Sequence, residues 1–146
     1  MQNTQPTFIG KPFATPCGVD TGVTANTSKD ATSGTVQTIL TAPADGLVIH
    51  RIWLRIKGTT GGPSVFRLFL NNGGSAASAT NNVLIGEATI PAITNSETAA
   101  AAPIDFPLPH ENWRIPGGYV LLSTIGTALT NACDICVSAS ELSATL

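Results

Sequence analysis

The side chains able to do chemistry in this chain are few: two histidines, His50 and His110, and three cysteines, Cys17, Cys133 and Cys136. His50 stands inside LVIHRIWLRIK, where plain alternation puts it on the side of Val48 and Ile52. That position suits a core or interface side chain better than a base. His110 neighbours Glu111 in PLPHENW and reads as a solvated loop pair. Cys133-x-x-Cys136 has the spacing of half a zinc site. Ile135 and Val137 carry the strand pattern straight across it, however, and residues three apart on a strand point to opposite faces. Cys17 lies far upstream, so the thiols read as inert side chains and no metal is expected. The glycine-rich stretches 58–62 and 71–74 precede no helical pattern and lack the Lys and Ser/Thr of a phosphate loop. Neither G-x-S-x-G nor H-E-x-x-H occurs. Arg51, Arg55 and Lys57 interleave with Trp53, a pattern that can bind single strands. A solvated face, or an interface anchored by Trp53, suits three cations better. No catalytic residue and no cofactor is expected.

The scaffold around these residues follows from composition. With 146 residues and 15.0 kDa the chain makes one domain, or one domain with an arm. Charged residues are 11% of it, against about 25% in ordinary proteins. Its polar surface is therefore built from neutral groups: twenty Thr, ten Ser and nine Asn. The net charge of −2 argues against a sequence-independent nucleic-acid binder, which needs a dense basic surface. A hydrophobic content of 42% with so little charge favours collapse over disorder. MQNTQPTFIG has neither the basic start nor the apolar stretch of a signal peptide. The apolar runs fall well short of the ~18 residues of a membrane helix. The expected partners are proteins, not membranes or nucleic acids, and the expected site of synthesis is the cytoplasm.

From about Thr21 short β segments alternate with turn signals, the spacing of a sandwich or barrel. The predicted strands are Gly34–Ala42, Leu47–Lys57, Ser64–Leu70, Val83–Ile90, Tyr119–Ile125 and Cys133–Ser140, with an extended, proline-confined edge at Pro103–Pro109. PADG at 43–46 is a turn between the first two. The loops 71–82 and 91–102 are long enough to cross between sheets. The expectation is an all-β, antiparallel β-sandwich of jelly-roll type over residues 21–146. Residues 1–20 are expected to form an extended N-terminal arm, kept extended by Pro6, Pro12 and Pro16. Phe8, Ile9 and Phe13 would be its anchors. Two readings of the arm stay open: a strand-like segment along its own domain, or a segment lying on a neighbour. In Leu47–Lys57, alternation places Leu47, Ile49 and Trp53 on the face that carries Arg51 and Arg55. A face so apolar is not wholly solvated. It is expected to be an oligomer or partner surface, most simply of a homotrimer.

Several stretches carry a resemblance. TGVTANTSKDATSGTVQTILTAPADGLVIHRIWLRIKGTT, VFRLFLNNGGSAASATNNVLIGEATIPA and PGGYVLLSTIGTA resemble a group of small β-sandwich virion proteins of tailed bacteriophages. Thr24, Asn26, Thr27, Lys29 and Asp30 match its T-x-N-T-x-K-D start. Arg67, Leu68, Phe69, Asn71, Asn72 and Gly73 match its R-L-F-x-N-N-G turn. Tyr119, Ile125, Gly126 and Thr127 match its late strand. The resemblance spans roughly residues 20–130, and its motifs are structural. It implies a non-catalytic virion component, a capsid decoration or cement protein on the capsid surface. Its partners would be the major capsid protein and other copies of itself. A tail or fibre module binding a host glycan or protein is the alternative, and would require exposed aromatics among Trp53, Trp113 and Tyr119. A small jelly-roll enzyme would require a histidine–carboxylate cluster that the sequence lacks.

Overall fold

The computed structural model describes residues 9–13, 17–20, 24–57, 62–94, 96–98, 100–129 and 133–142. They form ten strands: β1 (Ile9–Phe13), β2 (Cys17–Asp20), β3 (Val36–Thr41), β4 (Leu47–Ile56), β5 (Ser64–Asn71), β6 (Asn82–Ile90), β7 (Ile104–Asp105), β8 (Trp113–Ile115), β9 (Val120–Ile125) and β10 (Cys133–Leu142). A single 3-10 turn, Ala79–Asn81, is the one helical element among the described residues. Every pairing is antiparallel. In the larger sheet β1 and β2 lie end to end along one edge of β10. β4 pairs with the other edge of β10, and β7 and β8 lie end to end beyond β4. The smaller sheet runs β3-β9-β5-β6.

One hydrophobic core joins the two sheets. Ile52, Leu54, Ile56, Ile135 and Val137 of the larger sheet share it with Phe66, Leu68, Ile90, Leu121 and Ile125 of the smaller. Phe106 closes it, its ring edge-on to Phe66 at a centroid distance of 5.7 Å. Each fully buried aliphatic or aromatic side chain here contributes about 1.5–3 kcal/mol. The turn at 43–46 forms as the residues indicate. Gly46 takes φ +83° and donates its N–H to Pro43 O at 2.8 Å.

β4 departs from plain alternation. Its ladder with β10 pairs Ser138 with Arg51 but Ala139 with Ile49, so His50 is an extra residue and the strand bulges. A bulge reverses the phase of the side chains beyond it. Leu47 and Ile49 therefore face the core together with Ile52 and Leu54, all four without exposure. This corrects the expected partner surface: Leu47 and Ile49 are core residues. Arg51, Trp53 and Arg55 do lie on the outer face, and His50 is exposed there instead of sharing the core side with Ile52.

The smaller sheet is covered on both faces. Phe66 and Leu68 of β5 point into the shared core, while Phe69 packs outward with Leu122 of β9 and Ala31 in a second cluster. Ala31 belongs to the segment 24–35, which lies over this outer face. Gly34 ends the cover at φ +69°, and a Cβ there would stand 2.4 Å from Ala25 O. Only glycine satisfies both conditions.

The N-terminal strands pair with their own chain. Ile9 is in register with Leu142 and Phe13 with Ala139. Phe8 lies outside the described residues. Pro12, which has no N–H to give, sits in an edge strand, where proline is tolerated.

Candidate functional site

Some of the residues that carry the resemblance, Asn26, Lys29, Asp30, Arg67, Phe69 and Asn71, converge on the outer face of the smaller sheet, while Leu68 and Ile125 lie in the core between the sheets. Arg67 is the centre of this cluster, only 8% exposed. Its Nε donates to Glu87 Oε1 of β6 at 2.7 Å, and its Nη1 donates to the main-chain oxygen of Asn26 at 2.8 Å. Asn26 is fully buried. Its N–H bonds Ile125 O at 2.8 Å, and its side-chain amide donates to Ser33 O. Lys29 approaches the other oxygen of Glu87 at 3.7 Å. The hydrogen bond from Arg67 is the main reason the Glu87 carboxyl titrates below its ordinary range.

A chain of amides continues this network. Asn82 donates to the main-chain oxygens of Asp30 and Ala76, each at 2.8 Å, and accepts from Asn71 at 2.7 Å. Asn71 in turn accepts the N–H of Gly73 at 2.8 Å. Asp30 accepts both the N–H and the hydroxyl of Thr32. Hydrogen bonds from the Ser28 and Thr32 side chains lower its pKa. Ser64 and Thr127 exchange hydrogen bonds across the sheet end, 2.9 and 3.0 Å long. These polar atoms hold the cover segment, β5, β6 and β9 together. Their partners are one another and the backbone, which is a structural arrangement. Asn26 Oδ1 and Thr124 Oγ1 are buried without a partner among the described residues.

The outer face of the larger sheet holds the remaining chemistry. His50, displaced outward by the bulge, takes Ser140 Oγ at 2.8 Å on Nε2 and Asn112 Oδ1 at 3.1 Å on Nδ1. This hydroxyl–imidazole–amide order is that of a nucleophile, its base and the base's orienting group. Two features set it apart from an acyl-transfer site. Asn112 is neutral and cannot stabilise an imidazolium as a carboxylate does, and both hydrogen bonds lie on an exposed face where water competes. The arrangement ties β4, β10 and the turn before β8 together. Sequence reading missed it because its members lie up to 90 residues apart.

Arg51 sets both Nε and Nη2 2.7 Å from Asp105 Oδ1, and its guanidinium stands 5.1 Å from the centre of the Trp53 ring. The hydrogen bond raises the pKa of Arg51 and lowers that of Asp105. Lys57 pairs with Asp134 at 3.0 Å. The basic stripe is thus partly neutralised within its own sheet, which weakens it as a polyanion surface. His110 bonds Glu111 O at 2.9 Å in an exposed loop.

Cys133 and Cys136 stand on opposite faces of β10, as three-residue spacing on a strand requires: Cys133 is buried in the core and Cys136 half-buried on the outer side. Among the described residues no cluster of three His, Cys, Asp or Glu side chains is placed to hold a metal. Comparison of the chain with family models, with curated proteins and with solved structures found no match.

Proposed function

We infer that this chain is a non-catalytic structural protein of a tailed-phage virion, decorating and stabilising the capsid through contacts with the major capsid protein and with its own copies. The observation that carries the reading is the cluster around Arg67. The residues that resemble those of small virion proteins hold one another and the sheet in place, which is what a stiff shell component needs. The strand order supports a jelly roll. Taken from β2 onward, with β7 and β8 counted as one broken strand, it is compatible with the two-sheet order of eight strands wound as a pair of Greek keys.

Assembly as a homotrimer remains part of the proposal, with Arg51, Trp53 and Arg55 as the partner face. Leu47 and Ile49, being core residues, no longer contribute to it. The arm with Phe8, Ile9 and Phe13 is proposed as the second contact, on a neighbouring copy or on the shell. The alternative of a glycan-binding tail module is weakened by Trp113, which is 6% exposed and packed in the core. Of the three candidate aromatics only Trp53 and Tyr119 keep partial exposure.

The test is the copy number of the chain in purified particles, read by quantitative mass spectrometry against the major capsid protein. Copies approaching the number of capsid subunits support decoration, and a handful per particle indicates a tail component. Deleting residues 2–16 removes β1 and is expected to leave a folded protein that no longer binds capsids. Normal occupancy by the truncated chain would show that the arm is not the attachment device.

A further inference from the structure

Among the cysteines, two from distant parts of the chain are brought to facing positions. β2 and β10 pair antiparallel with Cys17 directly opposite Cys136. Some 120 residues separate them in sequence, and nothing in their local spacing links them. Directly opposed residues of an antiparallel ladder share a face of the sheet, with Cα atoms about 4.5 or 5.5 Å apart according to the pair type. Both separations lie inside the window of about 4.4–6.8 Å that a disulfide spans without backbone movement. The third cysteine cannot enter this pairing. Cys133 is fully buried on the core side of β10, and its register partners are Asp20 and Ile56.

We propose that Cys17 and Cys136 form a disulfide that staples the N-terminal edge strand β2 to β10 when the protein meets an oxidising environment. The oxidant is a low-molecular-weight disulfide of the glutathione class. The thiolate of one cysteine attacks a sulfur of oxidised glutathione, forming a mixed disulfide and releasing one glutathione thiolate. The thiolate of the other cysteine then attacks the protein sulfur of that mixed disulfide and expels the second glutathione. Two protein thiols are oxidised and one glutathione disulfide is reduced, and the two thiol protons end on the two glutathione thiols. Cys136 is half-buried on the outer face, within reach of such a reagent. In a reducing cytoplasm the pair stays as dithiol, and outside the cell it closes.

The staple has a defined mechanical effect. β2 is four residues long and its one ladder is with β10, at an edge of the sheet. An edge strand of that length is readily frayed or exchanged with another copy. A covalent link closes a loop from residue 17 to residue 136 in the unfolded chain, which is the long-loop case in which a cross-link stabilises most. It also keeps the end of the arm, residues 17–20, on its own sheet. The inference does not depend on the virion reading, because it rests on strand register alone.

The experiment uses the full-length protein purified under reducing conditions and equilibrated with oxidised glutathione. The expected result is an intact mass lower by two hydrogens, and an unreduced proteolytic map joining the Cys17 peptide to the Cys136 peptide. The product should run as a single chain on a non-reducing gel, and dithiothreitol should reverse it. Its Tm should rise by on the order of 5 °C. Cys17→Ala and Cys136→Ala should each abolish the mass loss, whereas Cys133→Ala should retain it. The peptide map of the natural sequence decides the matter without any variant. A link that includes Cys133, a covalent dimer, a lasting glutathione adduct on Cys136, or an unchanged mass would each overturn the proposal.

Discussion

Replacing Arg67 with methionine should destabilise the protein by about 3 kcal/mol, a value that follows from what each of its partners is left with. Methionine keeps most of the apolar stem, so little packing is lost. The main-chain oxygen of Asn26 loses a charged donor in a position without solvent access, at a cost of about 1–3 kcal/mol. Glu87 loses its shorter ion pair, but its side chain is 35% exposed and Lys29 stands 3.7 Å away, so water and that ammonium take over and the loss is below about 1 kcal/mol. The full 3–5 kcal/mol of a broken buried pair is therefore not reached. For a chain of this length the effect corresponds to a fall in Tm of about 6–12 °C. Urea unfolding followed by tryptophan fluorescence would measure it. The pH dependence is a second readout. Glu87 has a folded pKa below its ordinary value of 4.5, so its stabilising effect is complete above that value and is lost as pH falls through the lower folded pKa. In Arg67→Met most of this loss should vanish, since the hydrogen bond from Arg67 is its largest cause. A change in stability under about 0.5 kcal/mol, or an unaltered acid limb, would refute the reasoning.

Gly34→Ala should cost about 2 kcal/mol or more, because the new methyl meets the Ala25 carbonyl and the backbone is at positive φ; thermal unfolding would read it. Ile49→Ala should cost about 2–5 kcal/mol, while Val48→Ala next to it costs much less. Under unbroken alternation the order would be reversed, so denaturant midpoints of the two variants test the bulge directly. Asp105→Asn should leave the unfolding midpoint within error at moderate salt, since the Arg51–Asp105 pair is solvated on both sides. Asp30 titrates below 3.8 through hydrogen bonds from Ser28 and Thr32, so acidification from that value downward should remove what those bonds add, seen as a falling Tm, while protonation of the exposed Asp105 should add nothing measurable to the fall.

Period-two alternation made most of the sandwich legible. The edges of β3, β4, β5, β6, β9 and β10 fall within two residues of the runs expected from sequence. Three things were hidden or left open, each set by tertiary pairing. The reading of residues 1–20 as a strand-like segment along their own domain was one of two left open, because β1 and β2 depend on the ladder that the edge of β10 offers and their prolines mask the pattern. β8 is only three residues long, too short for any period to show. The bulge in β4 did leave a trace. Leu47 and Ile49 form one alternating set, Ile52, Leu54 and Ile56 another, and the two are out of step by one residue at His50–Arg51. Adjacent polar residues at the junction of two offset apolar series mark a phase change, and that signal was available. The polar cluster was half legible. Asn26, Lys29, Asp30, Arg67 and Asn71 were singled out by resemblance, Glu87 and Asn82 were not, and their convergence on Arg67 depends on the cover segment folding over the sheet.

The bulge also changes what kind of contact the outer face can make. With Leu47 and Ile49 turned inward, that face presents Arg51 held by Asp105, Lys57 held by Asp134, and Trp53 beside the Arg51 guanidinium. Such a surface is wetted without a partner, so an incoming carboxylate must compete with Asp105 and with solvent. Association through it gains specificity and speed from charge and little from apolar burial, and salt should weaken it. Apolar anchoring must then come from other residues. Val83 on the edge strand β6, 60% exposed, is the one large exposed hydrophobic side chain among the described residues. A lone valine buries too little area to hold two proteins together. The arm with Phe8, Ile9 and Phe13 is thus the part of this chain with the composition to supply the missing apolar contact. An assembly that survives high salt would be attached through the arm, and one that dissolves in it would be attached through the Arg51–Trp53 face.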